Sequence, residues 1–129
     1  MGLAVEDQLA IQQLYARYNH AIDFGDGDGW AACFTPDGVF NGGQGPQQGT
    51  DALKAFAGGF ASRMKARHWN TNLVVDGSGD SANGKCYLML MNLADGKATP
   101  LVTAVYHDEL KKTGGEWKFT NAIAEGEPA

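Results

Sequence analysis

Apolar residues near the start of the chain recur with the period of a helix. Ile11, Leu14, Tyr15, Tyr18 and Ile22 stand at i, i+3, i+4, i+7 and i+11, one stripe of a 3.6-residue repeat. The pattern predicts a helix over residues 5–24. Glu6 and Asp7 suit the positive end of its dipole, and Gly25 can take the left-handed cap conformation at its end. Asp26-Gly27-Asp28-Gly29 then turns the chain, with Asp28 as the expected N-cap of a short second helix through Phe34 that buries Trp30 and Phe34. Thr35-Pro36-Asp37-Gly38 stops that helix, Val39-Phe40 reads as a short strand, and residues 41–49 read as a loop. Thr50 is placed to cap a third helix over residues 51–67, with Leu53, Phe56, Ala57 and Phe60 on its apolar side.

Beyond that helix the period changes to two. Extended runs at residues 68–75, 84–93, 101–110 and 116–124 are separated by turns at 76–80, 94–96 and 113–115. Helices first and an antiparallel meander after give an α+β domain over residues 1–129, with no internal repeat or linker to divide it. Val102, Ala104 and Tyr106 share one face of a strand, and Tyr87, Met89 and Met91 alternate in the same way. Two methionines on one side suit either an adaptable pocket wall or plain core packing.

Composition narrows the partners rather than the fold. At 43% hydrophobic and 19% charged residues, the chain is too apolar for disorder. A net charge of -5, with no basic run beyond Lys111-Lys112 and the Arg63, Lys65, Arg67 cluster, argues against nucleic acid as a partner. No apolar run approaches the roughly 20 residues that span a bilayer, so no membrane partner is expected. The first residues lack the basic flank and apolar stretch of a secretory signal, and position 6 is Glu where myristoylation wants Ser or Thr. Cys33 and Cys86 have no CxxC spacing and read as buried free thiols, which suit a cytoplasmic location.

Few residues carry chemistry. His20, His68 and His107 lie on separate elements without HxH or HxxxH spacing, so no metal is expected. His20 and His107 read as solvent-facing. Asp26, Asp28 and Gly29 lack the closing Glu of a calcium loop, and Gly42-Gly43-Gln44-Gly45 does not open a helix after a long strand. No Ser sits in a GxSxG setting. Tyr18 lies within the apolar stripe, so its hydroxyl needs either a backbone partner or a substrate oxygen; Tyr106 faces the same choice.

Several segments carry a family likeness. They are Ala10-Ile11-Gln12-Gln13-Leu14-Tyr15-Ala16-Arg17-Tyr18 with Ala21-Ile22-Asp23, Trp30-Ala31-Ala32-Cys33-Phe34-Thr35-Pro36-Asp37-Gly38-Val39-Phe40, and Arg67-His68-Trp69-Asn70-Thr71-Asn72. With Ala104-Val105-Tyr106 and Glu116-Trp117-Lys118-Phe119, they resemble SnoaL-like domains of the nuclear-transport-factor-2-like superfamily along nearly the whole chain. The resemblance implies a cone-shaped curved antiparallel sheet, wrapped by about three N-terminal helices around a central pocket. In the scytalone dehydratase and hexachlorocyclohexane dehydrochlorinase branches, a His general base pairs with an Asp near the end of helix one; those places hold His68 and Asp23 here. On an ideal helix Asp23 lies at the edge of the stripe, so the helix must tighten or end there to turn it inward.

Departures narrow the reaction. The steroid-isomerase Asp is replaced by Gly42, and the dehydrochlorinase Lys and Arg by Tyr18 and Ala122. By resemblance, the chain is expected to be a cofactor-independent, dehydratase-like lyase or isomerase for a small, apolar, cyclic molecule. His68 would abstract a proton from carbon, Asp23 would orient it, and Tyr18 would assist at a substrate oxygen. Trp30 and Phe56, with Tyr87, Met89, Met91, Val102, Ala104 and Tyr106, would line the pocket. A homo-oligomer, dimer or trimer, is also expected. The alternative is a non-catalytic ligand-binding or assembly protein of the same fold.

Overall fold

The computed structural model describes residues 2–127; Met1, Pro128 and Ala129 lie outside the described residues. Helix α1 (Val5–Asp23) buries Ile11, Leu14, Tyr15, Tyr18, Ala21 and Ile22, the stripe expected from the repeat plus one alanine. It crosses the inner face of a six-stranded sheet. Its first turn is anchored as well as charged favourably: Asp7 accepts hydrogen bonds from Trp117 Nε1 at 2.9 Å and Lys112 Nζ at 3.0 Å. These bonds, Trp117 first and Lys112 second, hold the Asp7 carboxyl below the usual carboxylate range.

Short helix α2 (Gly27–Ala31) is capped by Asp26, whose carboxylate accepts from the Gly29 backbone N–H at 2.9 Å. Asp28, the expected cap, instead pairs with Lys54 at 2.8 Å on the surface, where such a pair contributes little. Strand β1 (Phe34–Gly42) is longer than the two residues expected. The expected turn at 35–38 is an irregularity within it, between the pairs Phe34–Phe119 and Val39–Asn121. Strand β2 (Gly45–Gln48) forms a hairpin with β1 inside the expected loop. Helix α3 (Thr50–Arg63) stops four residues early, and Thr50 gives no side-chain cap; Gly49, at φ 89°, leads into it.

Strands β3 (Ala66–Ser78), β4 (Ser81–Asn92), β5 (Thr99–Thr113) and β6 (Glu116–Gly126) form the meander. The sheet order is β2-β1-β6-β5-β4-β3, and every neighbouring pair is antiparallel except β1 with β6. The fold is therefore α+β with three α-helices and a mixed, mostly antiparallel sheet. No helix among the described residues is long and apolar enough to cross a membrane.

Register shifts decide which side chains face inward in β3 and in β6, where Thr120 separates buried Trp117 and Phe119 from buried Ala122. In β3 the register shifts between the pairs Thr71–Tyr87 and Val74–Lys85, where Asn72 takes φ 58°. Asn tolerates this left-handed conformation better than most residues, and the resulting bulge bends the edge strand. It also changes the parity: His68 and Asn70 face inward before it, and Leu73 and Val75 after it. In β5 the shift lies at Leu101, between the pairs Leu90–Val102 and Met91–Pro100.

The core is aromatic. Trp30 stacks on Phe56 at 5.6 Å between centroids and packs edgewise on Phe34 and Phe40 at 5.0 and 5.3 Å. Tyr18 contacts Trp30, Phe34 and Phe119. Rings thus fill the interior where a pocket lined by Trp30 and Phe56 was expected. The β4 assignment also needs correction: buried Cys86, Leu88 and Leu90 face inward, whereas Tyr87 pairs with Val105 and Met89 with Thr103 on the outer face. Both faces of β4 carry apolar residues, so alternation alone gives two sets without saying which is inside. With Trp69 and Val74, Tyr87 leaves that outer face substantially exposed.

Candidate functional site

Helix α1 ends at Asp23. Phe24 leaves helical geometry at φ −102°, ψ 9°, and Gly25 follows at φ 73°. This termination lets Asp23 turn towards the edge strand. Asp23 Oδ1 lies 2.5 Å from His68 Nδ1, and Asp23 Oδ2 accepts the His68 backbone N–H at 3.1 Å. One carboxylate thus holds both the ring and the backbone of its partner, satisfying an edge-strand N–H.

The two side chains are only 6–7% exposed, so their attraction is little screened by water. A carboxylate acceptor at Nδ1 requires the ring proton there, which leaves the lone pair of the neutral imidazole on Nε2. Nε2 makes no hydrogen bond among the described residues. The ring lies 5.4 Å from that of Phe60, and Leu90 is its neighbour across the strands, so one side of it is apolar.

The pair borders a groove of about 750 Å³ between α1 and β3, whose lining includes Tyr15, Asn19, Asp23, His68, Asn70 and Leu73. A larger depression of about 910 Å³ on the other flank of α1, bordered by Arg17, Cys33 and Trp117, contains neither member of the pair. Among the described residues, no group of three or more His, Cys, Asp or Glu is placed to hold a metal ion.

The other expected site residues are placed elsewhere. Tyr18, 2% exposed, does not line the groove; its ring packs edgewise on that of Tyr106, with centroids 6.2 Å apart. Burial pushes both phenols well above their usual range, so both stay protonated. Trp30, Phe56, Met91, Ala104 and Tyr106 are packing residues outside the groove, and Val102, 42% exposed, also lies outside it. Cys33 and Cys86 are buried free thiols, pushed up mainly by burial to about 11 and about 12. They are inert as nucleophiles near neutral pH.

Three further polar features were not singled out in the sequence. Asp108, 3% exposed on the inner face of β5, accepts the Tyr15 hydroxyl at 2.5 Å and the Ile123 N–H at 3.2 Å. Alternation from Tyr106 could have revealed it, as a charged residue in a buried register. Asn19 Oδ1, Asn70 Oδ1 and Asn70 Nδ2 are buried without a partner among the described residues, as is Trp30 Nε1. A buried polar atom left unpaired costs about 1–3 kcal/mol.

Burial raises the Asp108 carboxyl to about 7, against the lowering effect of the Tyr15 and Ile123 bonds. Its folded-state pKa therefore exceeds the unfolded value near 3.8. Between those two values the folded state holds a proton that the unfolded state has lost, so stability falls as pH rises. This contribution is full below about 4 and lost as pH rises through about 7. Urea midpoints measured from pH 5 to 8 should decline, and Asp108→Asn should flatten the decline. An unchanged slope in that variant would mean that another group titrates.

The sequence matches the family of the SnoaL-like domain over residues 4–122. No curated protein matches it. Among solved structures, it is similar to a protein of unknown function from Mycobacterium tuberculosis, with 32% identity over 95% of this chain and 73% of that one and a TM-score of 0.91. It is also similar to a candidate aromatic ring hydroxylase from Novosphingobium aromaticivorans, with 33% identity, coverage of 98% and 93%, and a TM-score of 0.86. A second protein from that organism, described as NTF2-like with a cystatin-like fold, gives a TM-score of 0.87 at 21% identity, over 93% of this chain and 81% of that one. This last likeness concerns the fold alone.

Proposed function

The chain belongs to the SnoaL-like domain family, and on that footing we propose that Asp23 and His68 form the general base of a cofactor-independent lyase or isomerase acting on a small, largely apolar ring compound. The observation that carries this reading is the 2.5 Å contact from Asp23 to His68 Nδ1, with Nε2 left free of partners among the described residues. An imidazole so held can accept a proton from carbon, and the carboxylate stabilises the cation that forms. Tyr18 has no part in this proposal, because it is buried among aromatic rings and does not line the groove.

The rival reading is a non-catalytic ligand-binding groove, favoured by an interior filled with aromatic rings. One assay separates the two without knowledge of the natural substrate. The protein is incubated in D2O with cyclohexanone and larger cyclic ketones, and deuterium uptake at the carbon beside the carbonyl is followed by NMR. The wild type should accelerate uptake. His68→Asn, which keeps an N–H donor for Asp23 but has no basic nitrogen, should lose about 10²- to 10⁴-fold of the rate. Uptake undiminished in His68→Asn would sink the general-base proposal, and no uptake by the wild type across the panel would favour the ligand-binding reading.

A further inference from the structure

Three of the four buried polar side-chain atoms without a protein partner, among the described residues, belong to Asn19 and Asn70. Both residues line the groove beside the Asp23–His68 pair. Asn19 precedes Asp23 by four residues on α1, which puts it one turn away on the same helix face. Asn70 follows His68 by two residues on β3, on the same strand face and ahead of the Asn72 bulge. Two carboxamides thus stand beside the carboxylate and the imidazole, one from the helix and one from the strand.

We infer that Asn19 and Asn70 recognise a donor–acceptor edge of the substrate, a hydroxyl adjoining a carbonyl on a neutral ring. This rests on the general-base reading of Asp23 and His68 and adds what the groove selects. Asn70 carries a donor, Nδ2, and an acceptor, Oδ1, and Asn19 a second acceptor, all three closed off from solvent until the side chains turn to meet a ligand. A complementary ligand must therefore both accept and donate. A hydrocarbon would leave all three atoms unpaired, and a carboxylate could not donate to either oxygen.

The charges around the groove point the same way. Among its lining residues, Arg67 carries the fixed positive charge. The Arg67 guanidinium lies 4.4 Å over the Phe24 ring and donates to the Ala66 carbonyl at 2.8 Å, so it is already engaged. A neutral polar edge fits this wall better than a carboxylate or phosphate does. The two-residue step from His68 to Asn70 spans roughly 6.6 Å, a separation that one carbocycle can bridge between the base and the reading groups.

The test follows the side-chain amide resonances of 15N-labelled protein, assigned by single replacement of Asn19 and Asn70. The probes are 2-hydroxycyclohexanone, which carries the full edge, and cyclohexanone and cyclohexanol, which each carry half. The full-edge probe should shift both carboxamides and bind at least tenfold more tightly than either half. Asn70→Leu should erase this preference while its thermal midpoint holds or rises, because two unpaired atoms are removed. If Asn70→Leu fails to fold, Asn70→Asp removes the donor in the same shape and should weaken binding of the full-edge probe at least tenfold.

Equal affinity for the three probes, or carboxamide resonances that do not move, would overturn the inference. His68→Asn separates it from the reading beneath it. That variant should bind the full-edge probe within twofold of wild type while losing deuterium uptake. Retained uptake would reject the base and leave the carboxamide site standing; unmoved amides with uptake lost would do the reverse.

Discussion

Asp23→Asn should slow proton abstraction by about 10²- to 10⁴-fold while the domain stays folded, because the substitution changes the tautomer of His68 and little else. The carboxylate accepts twice from His68, once from the ring and once from the backbone. An asparagine amide cannot accept twice in the same way. If its oxygen keeps the backbone N–H, its NH2 group faces Nδ1 and donates to it. The ring proton then moves to Nε2, the nitrogen that should have taken a proton from carbon. Nitrogen-15 spectra of the ring would register the exchanged tautomer directly, independently of turnover. Asp23→Ala should lose the same activity and also stability, because the His68 N–H is left without its acceptor. Wild-type deuterium uptake in Asp23→Asn would remove Asp23 from the mechanism.

The pairing was legible from the sequence only through family resemblance. Periodicity put Asp23 at the edge of the α1 stripe, and it reaches His68 because the helix ends on that residue and Phe24 leaves helical geometry. The stripe itself was legible throughout, since a buried helix face repeats without reference to the rest of the fold. The strands were harder. An alternating pattern cannot say which parity is inward when both sets are apolar, and β4 shows this with Cys86 and Leu88 inside and Tyr87 and Met89 outside. A one-residue bulge resets the parity, as at Asn72, and no local pattern announces it.

The nature of the site was missed for a related reason. Trp30, Phe56 and Tyr106 are as suitable for a pocket wall as for a core, and their packing makes them core. The groove follows instead from the edge position of β3 beside α1, which is a property of strand order. Asn19 and Asn70 read as ordinary polar residues until that order buries them.

Gly84→Ala should be strongly destabilising for a single-methyl change on the inner face of the sheet. A Cβ at position 84 would overlap the Tyr15 hydroxyl oxygen and stand 3.2 Å from Cζ. Tyr15 has little room to yield, because its ring meets Phe119 edge-on at 5.0 Å. The hydroxyl must then leave Asp108, which lies opposite Gly84 in the β4–β5 register and would keep only the Ile123 N–H. Losing a buried hydrogen bond of this kind costs about 1–3 kcal/mol, which lowers the thermal midpoint of a domain this size by roughly 3–12 °C. Tyr15→Phe alone removes the bond that lowers the Asp108 carboxyl, so the fall in stability with pH should shift to higher pH. Combining the two substitutions removes the clash as well, so the double variant should be more stable than the sum of the single losses implies. Strict additivity in that cycle, measured by urea unfolding, would show that the methyl group acts somewhere other than on Tyr15.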